Sequence, residues 1–467
     1  MAEQIQVKQE KPQLERRLGT WDAALLTIGS VLGTGIFITT GDIARVLPHP
    51  GLILFVWILG GIFTLAGALT YAELGGMFPR AGGQYQYLKE AYGIFWGFLF
   101  GWGAFWVIMT GGISALAVGF GQYFGAFIPF FSTDNILFSV PLGFTTWHLN
   151  GGQVAGSLAI VLLTTINYLG LKEGAGVQNA VTVIKIASIV GLALLGVLVE
   201  AKVHPQLFSS LPPGSFTVAI GVALIAVLWS YDGWYGATNV AGEMRNPERN
   251  LPLGLIIGTI VITLLYTLMN LVYIRALSVE EMGQTGRIAE SAAAVLFGPI
   301  GGRVITAAVL ISTFGCISAT ILYAARIYLP MAQDGVFFPA LARIHPKHKT
   351  PSTSIIAQGM WAFVLTFSGT YEQLYTFVIF VVILFHLATG IAVFVLRKTR
   401  PDAPRPYKTW GYPVVPVIFI LSSALLIGNT LIEKPVESLI GVFILALGIP
   451  AYYWWRRNST RTIAGQS

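Results

Sequence analysis

Two short segments carry residue types that suit ligand chemistry deep inside an apolar chain. One is Val31-Leu32-Gly33-Thr34-Gly35-Ile36, preceded by Gly29; the other is Trp229-Ser230-Tyr231-Asp232-Gly233-Trp234, followed by Gly236. In each, small or turn-forming residues interrupt a long apolar stretch that would otherwise read as one helix. Interruption in hydrocarbon strands backbone N–H and C=O groups, so it persists only where a cavity or a ligand satisfies them. Free amides where a half-helix starts, around Thr34, Gly35 and Ile36, suit a carboxylate through hydrogen bonds and the helix dipole. Carbonyls at Val31, Trp229 and Asp232 suit an ammonium. Together the segments read as a site for a small zwitterion, with Tyr231 and Gly233 completing the candidate set. Glycine is expected at 33 and 35 for close ligand approach and for a turn with positive φ. Gly29-x-x-x-Gly33 taken alone is equally a helix-packing face, and the matching break in the second segment is what favours a site.

Lys185 is a second ionisable group at mid-depth, flanked by Val183, Ile184, Ile186 and Ala187. An ammonium is expensive there and normally functional; snorkelling to the interface is the alternative, and the reach from mid-span is poor. A proton-exchanging group and a fixed positive strut both stay open for it. Three roles compete for Asp232: a protonatable coupling site, a contact for polar or cationic ligands, and a local acceptor that caps the broken helix, as Asp commonly does. No His-Glu-x-x-His, P-loop or nucleophile-elbow pattern accompanies these residues, so no enzyme chemistry is expected. The single cysteine, Cys316, leaves no intramolecular disulfide and no cysteine-built metal site; neither metal nor cofactor is expected. His204 and His386 have no assigned role. The filter repeats or charged rings of a channel are likewise missing.

The elements that must position these residues are membrane helices. The 467 residues are 55% hydrophobic and 10% charged, with a mean hydropathy of +0.71, whereas a soluble domain is about a quarter charged. The expected class is an all-α polytopic membrane protein with about twelve spans, at 21–47, 51–76, 96–127, 150–169, 176–199, 216–244, 251–275, 303–330, 353–369, 373–396, 413–433 and 436–455. The breaks fall in the first and sixth spans. Because five spans separate them, two five-helix units face opposite ways, an inverted repeat of 21–199 and 216–396. Residues 413–455 add the last two spans, between tails at 1–20 and 456–467. The N-terminal segment lacks the apolar core and cleavage site of a secretory signal. Of 28 basic residues, only Arg45, Lys202, Arg275, Arg287, Arg303 and Lys434 fall in the loops of one side, and Lys185 falls within a span. That bias predicts both termini on the cytoplasmic side. With the charge distributed this way, the net +7 points to topology and not to nucleic acid. Trp21, Trp96, Trp454 and Trp455 stand where interfacial anchors belong, and each could equally be packed.

The series Gly33-Thr34-Gly35-Ile36-Phe37, Pro79-Arg80-Ala81-Gly82-Gly83-Gln84-Tyr85, Tyr231-Asp232-Gly233-Trp234 and Gly242-Glu243-Met244-Arg245-Asn246-Pro247 resembles, in order and spacing, the amino acid–polyamine–organocation superfamily. Within it the sequence resembles the L-type amino acid transporters and their bacterial relatives, including the serine/threonine exchanger type. Met331-Ala332-Gln333-Asp334-Gly335 and Arg405-Pro406-Tyr407-Lys408 agree as loop signatures and not as ligands. The resemblance covers about residues 18–456 and implies sodium-independent exchange of small neutral L-amino acids such as Ala, Ser, Thr and Cys, by alternating access; proton-coupled symport is the alternative.

The same resemblance implies that the Thr34 and Gly35 amides hold the substrate carboxylate, and that the Val31, Trp229 and Asp232 carbonyls hold its amino group. Trp229 would close over the substrate as a gate. The Lys185 ammonium would take the place of a sodium ion used by distant relatives, tethering the first and eighth spans. Tyr266 would be its hydrogen-bond partner, unless it simply bonds a backbone carbonyl. Glu243 would pair with a basic residue in the inner gate. The expected setting is a prokaryotic plasma membrane, with a monomer or non-covalent dimer. Eukaryotic members carry a cysteine between the third and fourth spans for a disulfide-linked heavy subunit; Phe127 to Gly151 has none, so no such partner is expected.

Overall fold

Hydropathy and helix period translate directly into architecture. A computed structural model describes residues 18–80, 82–141, 146–169, 174–210, 216–346 and 350–464, without side chains at 174–184 and 458–464. The N-tail up to residue 17 and Ala81 of the Pro79–Tyr85 motif lie outside the described residues. Among those described, nine helices are long and apolar enough to cross a membrane, and a bent pair, Thr20–Val31 with Gly35–Val46, makes a tenth crossing. The two other predicted spans are the helices Gly174–Leu198 and Ser352–Thr366. Every predicted span is therefore a helix, and the polytopic all-α class stands.

Large apolar side chains left exposed, such as Leu162, Leu264, Met360, Leu425 and Phe443, lie on the flanks of these helices. In water such exposure would be a liability; on a bundle in lipid it is the expected outer surface. Inside, glycines let helices approach: a Cβ at Gly121 would sit 2.1 Å from the Gly152 carbonyl oxygen, and one at Gly156 2.5 Å from that of Ala117, fixing the third span on the fourth.

Several features between and within spans were not anticipated. The third span runs Ile94–Gly103, then a π-helical turn at Ala104–Ile108, then Met109–Phe124. Thr110 Oγ1 donates to the Phe105 carbonyl at 2.7 Å inside that turn. A two-stranded antiparallel ribbon, β1 Ile136–Pro141 and β2 Thr146–Asn150, joins the third span to the fourth. The helix of the eighth span extends back to Ile288 and kinks at Gly298, where φ is +79°.

The loop signatures prove to be clamps at the face that carries both described chain ends. The Pro79–Tyr85 motif turns through Gly82 and Gly83, both with positive φ, into the helix Gln84–Tyr92. There Tyr85 and Lys89 both meet the Asp334 carboxylate. Glu73, a buried carboxylate on the second span, accepts from Arg397 Nε at 2.9 Å, Arg397 Nη2 at 2.7 Å and the Thr409 amide at 2.8 Å, with Arg405 Nε 3.5 Å away. Arg397 also lies 3.6 Å from the centre of the Tyr412 ring. The Arg405–Lys408 motif thus helps to bind the end of the tenth span to the second.

Candidate functional site

The first span stops at Val31, passes through Leu32 and Gly33, and restarts at Gly35 with a bend of 47°. The sixth ends its α-helix at Tyr231, turns at Asp232 and Gly233, and continues as a 3₁₀ helix over Gly236–Glu243. The two breaks face each other and are bonded together. Ser30 Oγ donates to the Gly233 carbonyl at 2.9 Å, Thr39 Oγ1 and Ser230 Oγ are 2.8 Å apart, and the Tyr266 hydroxyl donates to the carbonyls of both Val31 and Ser230 at 3.1 Å.

This packing corrects the expected reason for the glycines. Neither Gly33 nor Gly35 has positive φ; the left-handed residue is Gly233, at +93°. A Cβ on Gly35 would lie 2.5 Å from the Ser230 Cα, and one on Gly233 would lie 2.8 Å from the Ser30 carbonyl oxygen. Glycine at 35 serves the close approach of the sixth span, and glycine at 233 serves both the turn and the first span.

Between the breaks lies a small cavity of about 40 Å³. Val31, Gly33, Thr34, Gly35, Trp229, Asp232 and Gly233 line it. The helix that restarts at Gly35 opens on amides that have no acceptor within their own helix. The carbonyls are less free than expected: that of Val31 already accepts from Gly33 N at 2.7 Å and from Tyr266, and that of Trp229 accepts from Asp232 N at 3.1 Å. The Asp232 carboxylate lies beside the Gly233 amide and the Tyr235 hydroxyl.

Two candidates point elsewhere. Tyr231, two residues on from Trp229, falls on the opposite side of its helix, packing on Trp57 and Tyr266 with its hydroxyl donating to the Trp57 carbonyl at 3.2 Å. The Ile36 side chain is fully buried, and its carbonyl accepts from Tyr273 at 3.2 Å. Lys185 is also buried: its ammonium donates to the Gly29 carbonyl at 2.7 Å and lies 3.1 Å from Cys316 Sγ, touching the first and eighth spans together. Tyr266 does not reach it, having spent its hydroxyl on the two breaks. Glu243 faces Arg326 across 3.7 Å.

Sequence reasoning missed the lid. Trp229 Nε1 donates to the Tyr371 hydroxyl at 2.7 Å, Thr34 Oγ1 lies 2.8 Å from that same hydroxyl, and the Trp229 ring stacks on Tyr375 with 6.0 Å between centroids. Tyr375 in turn donates to Asp42 at 3.2 Å. On the far side of Tyr371 a second, polar hollow is lined by Asp42, Arg45, Asp134 and Glu372, so this aromatic layer separates a vestibule from the central cavity. The local cause is a capping box: Thr370 Oγ1 accepts from Gln373 N at 3.3 Å and Gln373 Oε1 from Thr370 N at 2.9 Å, starting the tenth span so that Tyr371 and Tyr375 stand one turn apart. Thr370-x-x-Gln373 is legible in the sequence as a helix start; its partners are not.

The remaining walls come from the third and eighth spans. Ile108 ends the π turn, Met109, Gly112 and Leu116 follow it on the third span, and Cys316, Thr320 and Tyr323 stand on the eighth span. A Cβ added at Gly112 would meet nothing within 4 Å. The π turn carries no sequence signature, although such turns recur at functional sites.

A bundle of membrane-spanning helices whose central cavity sits between two interrupted spans, under an aromatic layer that shuts it from a vestibule, is built to carry a small molecule across a bilayer. The comparisons are specific about which kind. The chain belongs to the amino acid permease family, whose sequence profile matches residues 18–453. It is similar to the serine/threonine exchanger SteT of Bacillus subtilis, at 33% identity over 95% of this chain and 98% of that protein. It is also similar to the human b(0,+)-type amino acid transporter 1, at 30% identity over 94% and 88% of the two chains. The human large neutral amino acids transporter small subunit 2 is 29% identical over 95% and 82%. The family and these relatives are transporters, not enzymes, and their setting is a cell membrane.

Proposed function

We propose that the protein is a sodium-independent exchanger of small neutral L-amino acids, Ala, Ser, Thr and Cys among them, working by alternating access. The observation that carries this reading is the arrangement around one cavity: Thr34 and the helix-starting Gly35 in its wall, with a protein ammonium, Lys185, bonded to the Gly29 carbonyl and beside Cys316 of the same wall. The amides suit a carboxylate, and the Asp232 backbone on the facing break suits the amino group. With Tyr266 and Gly33 already on the Val31 carbonyl, that group contributes only once those bonds loosen. The fixed ammonium fills the place where a free cation would otherwise bridge the first and eighth spans, which supports transport without sodium. Tyr266 acts by holding the two breaks in register.

In the same reading, residues 21–199 and 216–396 are inverted repeats, and the first and sixth spans rock against the third, fourth, eighth and ninth. The termini face the cytoplasm of a prokaryotic cell, consistent with the basic residues crowded onto their side. The chain acts as a monomer or non-covalent dimer, with no disulfide-linked heavy subunit.

The test is uptake of labelled amino acids by proteoliposomes preloaded with each candidate. Exchange predicts uptake that requires internal substrate and is indifferent to replacing sodium with choline. Accumulation in empty vesicles driven by an imposed pH gradient would establish proton symport instead, with Asp232 as the first residue to test.

A further inference from the structure

The ribbon between the third and fourth spans is amphipathic. Its register pairs Phe138 with Leu149 and Val140 with Trp147, so these four side chains share one face. The other face carries Ser139 paired with His148, their Oγ and Nδ1 2.8 Å apart, and the Pro141–Thr146 pair. A two-stranded ribbon cannot cover its own apolar face and is marginal in water by itself. Yet Phe138 is 60% exposed. The sequence repeats the theme: between 127 and 150 the only formal charge is Asp134.

Two bonds fix where this face lies. The Gly151 amide, first residue of the fourth span, donates to the Asn135 carbonyl at 2.9 Å. Trp147 Nε1, from the apolar face, donates at 2.6 Å to the carbonyl of Phe367, the residue that caps the ninth span. The ribbon is thus held level with the ends of two spans. Along those same two spans Leu158 and Leu162 on the fourth and Met360 and Val364 on the ninth are also exposed.

We infer that this ribbon is an interfacial anchor, lying with Phe138, Val140 and Leu149 in the headgroup–acyl boundary and with Ser139 and His148 toward water. Aromatic and apolar groups that emerge at span ends gain by partitioning into that zone. Trp147 fits it as well, its ring apolar and its N–H satisfied. Held there, the ribbon fixes the fourth and ninth spans to the bilayer surface.

The test places an environment-sensitive NBD label at Phe138→Cys, Val140→Cys or Ser139→Cys in lipid nanodiscs. The parent chain, whose sole cysteine Cys316 is buried, gives the blank. Labels at 138 and 140 should be quenched about threefold or more by lipids bearing a headgroup or shallow-chain spin label, relative to position 139, with the order reversed for aqueous iodide. Equal iodide quenching at all three positions would mean that the ribbon stands free in water, and overturns the proposal. Shielding of 138 and 140 from both quenchers would mean a protein partner or second copy covers the face, and also overturns it. Monodisperse elution of each labelled chain shows that it is folded, and agreement between 138 and 140 guards against a local effect of either substitution.

Discussion

Replacing Tyr371 by Phe removes one oxygen and tests the lid directly. That hydroxyl is shared by Trp229 Nε1 at 2.7 Å and Thr34 Oγ1 at 2.8 Å, all three groups buried. Each such bond is worth about 1 kcal/mol net, and a buried donor left unpaired costs about 1–3 kcal/mol. The penalty applies only while the lid is shut, because opening gives Trp229 and Thr34 to water. The closed arrangement should therefore lose about 2–4 kcal/mol relative to the open one, a shift in their ratio of about thirtyfold to several hundredfold. The Trp229–Tyr375 stack and the Tyr375–Asp42 bond remain, so the lid weakens without vanishing. Cys316 is the only cysteine and lines the cavity beneath the lid. Its rate of modification by a membrane-impermeant thiol reagent, applied from the face opposite the chain ends, reports the open population. A rise of tenfold or more is expected, at about the scale of that shift. An unchanged rate in a variant of parental thermal stability would refute the assignment of Tyr371 as the bolt.

Lys185→Ala should leave a folded protein, since it removes a costly buried charge, yet cut exchange by about tenfold or more through loss of the tether to Gly29 and Cys316; near-parental flux at matched insertion would remove Lys185 from the mechanism. Gly112→Val projects into space where no atom lies within 4 Å, so it should fold and narrow the cavity. Competition against labelled alanine should then show leucine weakened relative to alanine by about 10-fold or more, and an unaltered ratio would place the side-chain pocket elsewhere. Glu73→Ala removes the buried acceptor of Arg397 and of the Thr409 amide, while Arg405 keeps its backbone carbonyl partners, and should destabilise by about 1–3 kcal/mol, which thermal unfolding in detergent would register as a lower midpoint; an unchanged midpoint would show the clamp to be dispensable.

What the sequence determined is what depends on neighbours along the chain. Hydropathy located the spans because burial in lipid demands about 20 apolar residues in a row, and glycines and Asp232 at mid-span marked both breaks because helix interruption is a local event. Lys185 was conspicuous for the same reason, a charge amid Val183, Ile184, Ile186 and Ala187. The tertiary structure decided who stands opposite. Thr34 and Tyr371 are 337 residues apart in sequence, and nothing about either alone announces a shared hydrogen bond. Gly35 looked like room for a ligand but is room for Ser230, while the positive φ sought at the first break belongs to Gly233 in the second. Tyr231 sat inside the motif yet turned away, since helical phase and not adjacency sets which side chains reach the cavity. The π turn that presents Gly112, and the ribbon that exposes Phe138, arise from pairing and packing between distant segments, which local residue patterns do not encode.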